Sequence, residues 1–397
     1  MNAPKAGPTK SSSSHQNDQG GVIIVQRIFP QYRKAVFDAI YRQVRFTLLH
    51  SDNLSGIKQT MADYSVAVSQ WKYGGGDTKL FLRIFSYIRK NRPNVVIHEM
   101  AVGILSLPVA ILRRKSLGYK LILWGHTYNR KAGFNPKSWS DRYRLWMQRK
   151  ADAIITYSNG EKKLLVEHGI SEEKIFPALN TLDTDRYFPV RNELERIGRE
   201  EIKRRLGFRH DFNLIFIGRL YEDKWPQHAV EVLEILLRQK SLSIALHFVG
   251  SGEMEASLMT YCHERGLQQN VFFHKEVYDE RRTGELLFAS DMMIMPGCVG
   301  LSVNHAFCFD CPVITFAGEN NIPAHGPEIE YVVDGVTGFV VPNRDVNAMA
   351  DTLLQYLNDE TRQQEMKQHV RNMIENNCPI GKLTAGFIDA INYVNKN

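Results

Sequence analysis

The chain of 397 residues is 43% hydrophobic and 23% charged, enough apolar material for two cores of ordinary globular type and too much for a disordered or fibrous chain. No apolar run has the length to cross a bilayer as a helix. The formal net charge of +7 divides unevenly, with 29 Lys and Arg against 14 Asp and Glu in residues 1–190 and 21 against 29 in residues 191–397. A basic half of this kind suits anionic lipid headgroups, a phosphate-bearing acceptor or nucleic acid, and equally serves to offset an acidic partner half.

Residues 1–20, MNAPKAGPTKSSSSHQNDQG, hold no apolar pattern and are expected to form a disordered tail. They lack the hydrophobic core of a signal peptide, so a cytosolic protein with reduced thiols is expected. Of the cysteines Cys262, Cys298, Cys308, Cys311 and Cys378, only Cys308 and Cys311 form a CxxC. No second pair accompanies it and Pro312 follows at once, which favours buried thiols over a zinc site.

A strand begins at Val22–Val25 and turns into a helix carrying Val36, Phe37, Ile40 and Tyr41 on one face. Arg27, Tyr32 and Arg33 stand at the mouth of that junction, as ligand contacts or as exposed groups around a capped helix. Apolar bursts at residues 46–49, 95–98 and 121–124 alternate with helical patterns such as KLFLRIFSYIRK and ILSLPVAILRRK, the signature of a parallel, doubly wound sheet. The strand KLILWG delivers His126 at its carboxyl end, where such sheets present functional groups; a structural histidine fits the same position. The run RYRLWMQRK, with Arg113, Arg114, Lys115 and Lys120, interleaves cations and aromatic rings as a membrane surface or a solvated helix face does. ADAIITYSNGEKKLLVEHG adds a strand, a cap at Ser158 and a helix, and NTLDTDRYFPV then reads as the link between domains.

After a charged helix, NELERIGREEIKRRLG, the run Leu214–Ile217 has the length of a buried parallel strand and ends at Gly218 and Arg219, with Lys224 five positions on. The sequence KWPQHAVEVLEILL continues as a helix, so two cations converge where a strand ends and a diphosphate would fit, or else they are solvated loop charges. IALHFVGSGEMEASL repeats the strand–glycine pattern, but Glu255 occupies the third small position that a dinucleotide fingerprint requires. NAD is therefore not expected. VFFHKEV, SDMMIMPG and CPVITF supply three more strands. Between the last two, PGCVGLSVNHAFCFDCPVIT places Gly297 and Gly300 before a buried helix that Asp310 is suited to end, and its turn amides either cradle a phosphate or simply pack.

The order GRL with a following Lys, GSGE, SDMMIMPG, GLSVNHAF before PVIT, and PEIEYVVDGVTGFVV resembles the family 4 nucleotide-sugar glycosyltransferases, and the resemblance runs from about residue 22 to the end. It implies the GT-B fold, two doubly wound Rossmann-like α/β domains facing across a cleft. Residues 21–185 would form the acceptor-side domain, 186–378 the nucleotide-sugar domain, and 379–397 a helix returning to the first. It further implies a retaining, metal-independent transfer, with no cofactor, from a nucleoside-diphosphate sugar to a polysaccharide or lipid-linked glycan on the cytoplasmic face of a membrane. By the family's pattern His126, Arg219 and Lys224 would be catalytic. Gly218, Gly250, Val299, Gly300, Leu301, Ser302 and His305 would bind donor, and Arg27, Tyr32 and Arg33 would border the acceptor. No metal ligand and no nucleic-acid partner are expected; an anionic membrane surface is a partner for the basic half. The chain departs from the family at Gly297 and His305, where it has usually a glutamate, and in FPQYR, which lacks the usual Gly-Gly turn. That departure admits the alternative of a non-catalytic sugar-nucleotide-binding or scaffold subunit.

Overall fold

The computed structural model describes residues 21–51, 59–74, 79–129, 132–239, 242–318 and 325–397. The tail expected at 1–20 lies outside the described residues. Nine strands belong to the first lobe: β1 (Val22–Val25), β2 (Phe46–Ser51), β3 (Ser65–Val68), β4 (Gln70–Lys72), β5 (Leu80–Leu82), β6 (Val95–Glu99), β7 (Lys120–Trp124), β8 (Ala153–Thr156) and β9 (Ile175–Pro177). Seven of them form one parallel sheet in the order β3-β2-β1-β6-β7-β8-β9, while β4 and β5 pair as a small antiparallel ribbon. The second lobe holds β10 (Phe212–Ile217), β11 (Ile244–Val249), β12 (Val271–Phe273), β13 (Met292–Ile294), β14 (Val313–Phe316) and β15 (Gly338–Val341), parallel in the order β12-β11-β10-β13-β14-β15. Central strands such as VIIV of β1 and FNLIFI of β10 are apolar on both faces because helices cover both sides. Apolar clusters accordingly lie on each face of the first sheet and around the second.

Three segments differ from their sequence reading. The stretch KLFLRIFSYIRK is helical only over Phe85–Asn91, because Leu80 and Leu82 are buried while Phe81 between them is not, and this two-residue alternation pairs as β5 with β4. The presumed link NTLDTDRYFPV coils from Thr184 onward and becomes the helix Tyr187–Ile197; Pro189 falls in its first turn, where no backbone donor is needed. Residues 178–183, between β9 and that coil, have no regular secondary structure. The charged segment after it is two helices, Tyr187–Ile197 and Arg199–Leu206, broken at Gly198 with φ +90°. By contrast Asp310 does end the helix Ser302–Cys308 with φ +55°, and Cys262, Cys308, Cys311 and Cys378 are buried thiols.

The last helix, Ile380–Lys396, leaves the second lobe and docks on the first. Its Leu383, Phe387, Ala390, Ile391 and Val394 join the cluster formed by Ile24, Phe37 and Trp124, with the Trp124 and Phe387 rings edge to face at 4.7 Å. Gly386 permits this closeness, since a Cβ there would stand 2.4 Å from the Pro177 carbonyl oxygen.

His247 and His98 are buried on strands of the two sheets. His247 lies stacked between Phe208 and Phe272, its nitrogens 3.0 Å from His274 and from Asn213; burial, helped by the neighbouring histidines, pushes its pKa down to about 3. His98 on β6 is pushed down to about 4 by burial, against a backbone hydrogen bond that favours its charge. Between these values and the unfolded pKa of about 6.5, the unfolded chain binds more protons than the folded one, so stability rises with pH. Unfolding free energies from urea titrations should therefore fall as pH is lowered from 6.5 towards 4, by up to about 1.4 kcal/mol per pH unit for each such histidine, and His247→Gln should flatten the slope.

Candidate active site

Beyond the carboxyl ends of parallel strands, a crevice opens where the strand order reverses. The first sheet reverses between β1 and β6 and the second between β10 and β13. Loops from these four strands meet across one cavity of about 860 Å³, with Arg27, Tyr32, Arg33 and Glu99 on one wall and Arg219, Gly300, Leu301 and Glu328 on the other. His126, carried by β7, also lines it.

On the first wall the cations are not equivalent. Arg27 is tied to Glu99, which accepts from its Nε at 2.6 Å and from its backbone N–H at 2.7 Å, so this charge is largely neutralised. The Arg33 guanidinium lies 5.2 Å from the Trp124 ring centroid and 5.3 Å from that of Tyr157, which leaves its charge balanced by π faces instead of a carboxylate. Tyr32 is 56% exposed. His126 is oriented by Glu161, whose Oε1 is 3.0 Å from Nδ1. A carboxylate can only accept, so Nδ1 carries the proton, and in that tautomer Nε2 is left to accept from a hydroxyl.

Glu161 escaped the sequence reading. It is buried, accepts the Tyr157 N–H at 2.9 Å, and has its own N–H capped by the Ser158 hydroxyl. The signal was present as S-x-x-E at Ser158–Glu161, a capping box opening the helix Asn159–Glu167. Here the glutamate also turns toward the histidine one strand away.

On the second wall Arg219 is exposed, its guanidinium resting 4.9 Å from the Tyr221 ring centroid. Lys224 ends a short 3-10 turn, Glu222–Lys224, and its ammonium donates to the Cys298 carbonyl. The same turn is bonded to the glycine turn through Gly297 N–H to Lys224 O and Cys298 N–H to Asp223 O, both 3.0 Å. Gly297 is required by this contact: a Cβ there would come within 2.4 Å of Asp223 O and of the Lys224 carbonyl carbon. A glutamate cannot stand at 297 while the Lys224 turn packs this way.

Several residues expected to bind donor sit behind the cavity wall. Gly250 and Gly218 meet each other at strand ends, with φ +139° and +150°, and a Cβ on Gly250 would fall 2.0 Å from Gly218 O. They are packing glycines. Val299 spends its amide on His325 Nδ1 at 3.2 Å and its carbonyl on the Gly326 N–H at 2.8 Å. His305 packs against Tyr187 and Phe309, burial pushes its pKa down to about 4, and its Nε2 makes no hydrogen bond. Ser302 opens the buried helix. Gly300 and Leu301 alone of this group line the cavity.

The lobes also touch directly. Glu330 of the second lobe accepts from the Asn159 and Gly160 N–H groups at 3.0 and 2.5 Å, placing a carboxylate on the N-terminus of a first-lobe helix. Asn180 in the crossing segment donates to Glu328, and Tyr331 donates to the Asn180 carbonyl.

The family described as "Glycosyl transferases group 1" matches residues 198–373, and that described as "Glycosyltransferase Family 4" matches residues 63–186. Among curated proteins, the chain is 26% identical to the capsular polysaccharide biosynthesis glycosyltransferase CapM of Staphylococcus aureus over 57% of either chain. It is likewise 26% identical to the D-inositol 3-phosphate glycosyltransferase of Xylanimonas cellulosilytica over 56% of this chain and 52% of that one. The chain thus spans little more than half the length of these relatives. Among solved structures, HepE of Anabaena in complex with UDP superposes with a TM-score of 0.70 at 13% identity, covering 94% of this chain and 99% of that one. The two lobes therefore have the GT-B arrangement.

The glycine contact at β10 and β11 yields a direct check. Gly250→Ala should lower stability by about 3 kcal/mol or more, since both the positive φ and the missing space oppose a methyl group, and thermal unfolding would register it without any ligand.

Proposed function

We propose, from the premise that this chain belongs to the family 4 glycosyltransferases, that it moves a sugar from a nucleoside-diphosphate donor to a glycan acceptor in the cleft between its lobes. The observation that carries this reading is the apposition of the two crevices, with Arg219 on one wall and His126 and Arg33 on the other of a single cavity. The diphosphate lies against Arg219 and the Gly300–Leu301 turn, with Lys224 held at the same turn. As the glycosidic bond breaks, negative charge grows on the departing diphosphate, and fixed cations in a narrow cleft stabilise that charge more than they stabilise the ground state. Side chains take this part in the reaction in place of a divalent ion. His126 accepts from a donor-sugar hydroxyl through Nε2, positioned by Glu161. Incoming acceptor approaches past Tyr32 and Arg33, and transfer proceeds with retention at the anomeric carbon.

The acceptor in this reading is a polysaccharide or lipid-linked glycan, in keeping with the CapM name. The enzyme works on the cytoplasmic face of a membrane. Among the described residues no helix is long and apolar enough to cross one, and attachment is peripheral, through Arg113, Lys115, Arg142, Arg149 and Lys150, exposed on adjoining helices of the basic half.

A panel of uridine, guanosine and thymidine diphosphate sugars, followed by proton NMR in EDTA, tests the proposal. One donor should be consumed and should give a product of unchanged anomeric configuration, with Arg219→Ala and Lys224→Ala each lowering kcat about 100-fold in folded protein. Consumption that stops in EDTA, or inversion, would refute the mechanism. Donor binding with no turnover would instead support a sugar-nucleotide-binding subunit, the reading that Gly297 and His305 motivate. For the positioning pair, His126→Ala and Glu161→Gln should each cost about 10- to 100-fold in kcat, and the double variant little more than His126→Ala alone.

A further inference from the structure

Next to the cleft lies a second cavity, of about 460 Å³, that the chemistry above leaves unused. Its walls are the rings of Tyr73, Trp139 and Tyr143, the side chains of Lys79 and Leu105, and the turn Val102–Gly103. That turn is shared: Val102 and Gly103 line the reaction cleft on their other side. The two cavities therefore adjoin at Val102–Gly103.

The rings are ordered. Trp139, Tyr143 and Trp146 stand at i, i+4 and i+7 on the helix Trp139–Lys150 and so share one face. Successive planes are nearly parallel, at 11° and 9°, with centroids 5.3 and 5.6 Å apart, a staircase of offset faces. Tyr73, at the end of β4, is fixed opposite by its hydroxyl, which donates to Gly103 O at 3.0 Å. Trp139 is nonetheless 73% exposed, and rings left uncovered in a recess mark a binding site more often than a core.

We infer that this recess is a remote acceptor subsite, which holds a pyranose ring of the glycan several sugars away from the end that reacts. It rests on the glycosyltransferase reading, since it supposes an acceptor in the adjoining cleft. The chemistry selects a saturated, hydroxylated ring. The face of a pyranose offers C–H bonds to a flat aromatic ring, while its equatorial hydroxyls reach the rim, where the Lys79 ammonium and the Tyr73 phenol meet them. A bilayer is entered by side chains that project from a convex surface, whereas Tyr73, Trp139 and Tyr143 enclose a concavity. Trp146 prolongs the staircase outward and gives a longer glycan a further ring to rest on. Each sugar held here adds to the affinity of the tethered reacting end without touching the donor.

Linear oligosaccharides of one to six pyranoses, drawn from α-glucan, β-glucan and chitin series, are titrated while tryptophan emission is followed. At least one series should bind with affinity rising tenfold or more between one and four sugars. Trp139→Ala should bring the long members down to the monosaccharide level, Trp139→Phe should restore most of the gain, and nucleoside-diphosphate binding should be unchanged in both variants. Affinity independent of length in every series, or equal in wild type and Trp139→Ala, overturns the subsite. So does a Trp139→Ala variant whose measured loss is in binding to vesicles of phosphatidylcholine and phosphatidylglycerol, which would make the face a membrane contact. Length-dependent glycan binding in a protein that binds no sugar nucleotide would leave the subsite standing and the transfer reaction rejected, so the two failures are separable.

Discussion

Two backbone hydrogen bonds, from Gly297 N–H to Lys224 O and from Cys298 N–H to Asp223 O, join the loop after β10 to the loop after β13. Both cations of these loops, Arg219 and Lys224, depend on that junction. The Arg219 side chain leaves β10 just before the junction, the Lys224 ammonium is fixed on Cys298 O within it, and the Gly300–Leu301 turn follows directly from it. Without the bonds the cations on these loops would sample many positions, at an entropic cost to any anion that ordered them. The absence of a side chain at 297 is the condition for the bonds. What looks in sequence like the loss of a glutamate is, in space, room for one loop to lie on another.

Opposite this wall, the first lobe orders its groups through side chains instead of main chain. Glu161 serves the helix it caps and the histidine it faces, so orienting His126 adds no buried carboxylate beyond the one the cap requires. Arg33 keeps its guanidinium in the cleft against aromatic side chains, Tyr32, Trp124 and Tyr157, and not against an acid. The lobes then meet where Glu330 sits on the helix opened by Asn159, and the same helix carries Glu161 two residues along. Closing the lobes and orienting His126 are thereby properties of one helix terminus.

Much of this was legible in the sequence, because strands buried on both faces write themselves as largely apolar runs, two of the clearest ended by Gly218 and Gly250. The runs at 22–25, 214–217 and 244–249 fixed the sheet ends, and a strand end in a parallel sheet is where ligands go. Spacing along a chain, however, does not say which side of a turn faces open space. Gly250 and Val299 belong to the right loops, yet one meets backbone and the other has both its polar groups engaged. His305 lies one helical turn past a cleft residue and still faces Tyr187. Glu161 was overlooked for the opposite reason: its capping role explained it fully, and nothing local told of a histidine arriving from another strand. Tyr187–Val190 falls within the expected link because Pro189 and the polar residues before it mask the first turn of a helix whose apolar side packs on the second lobe.

The docking of Ile380–Lys396 bears on how the molecule is made. A polypeptide leaves the ribosome from its N-terminus, and a lobe built from consecutive residues can fold while the rest is still being translated. Here the first lobe is not consecutive. The face of its sheet that bears Trp124 is covered partly by the helix Lys34–Gln43 and partly by a helix encoded after the whole second lobe, so during synthesis one part of that face waits while roughly half the chain is added. The first lobe therefore completes its core only once the second lobe has been made.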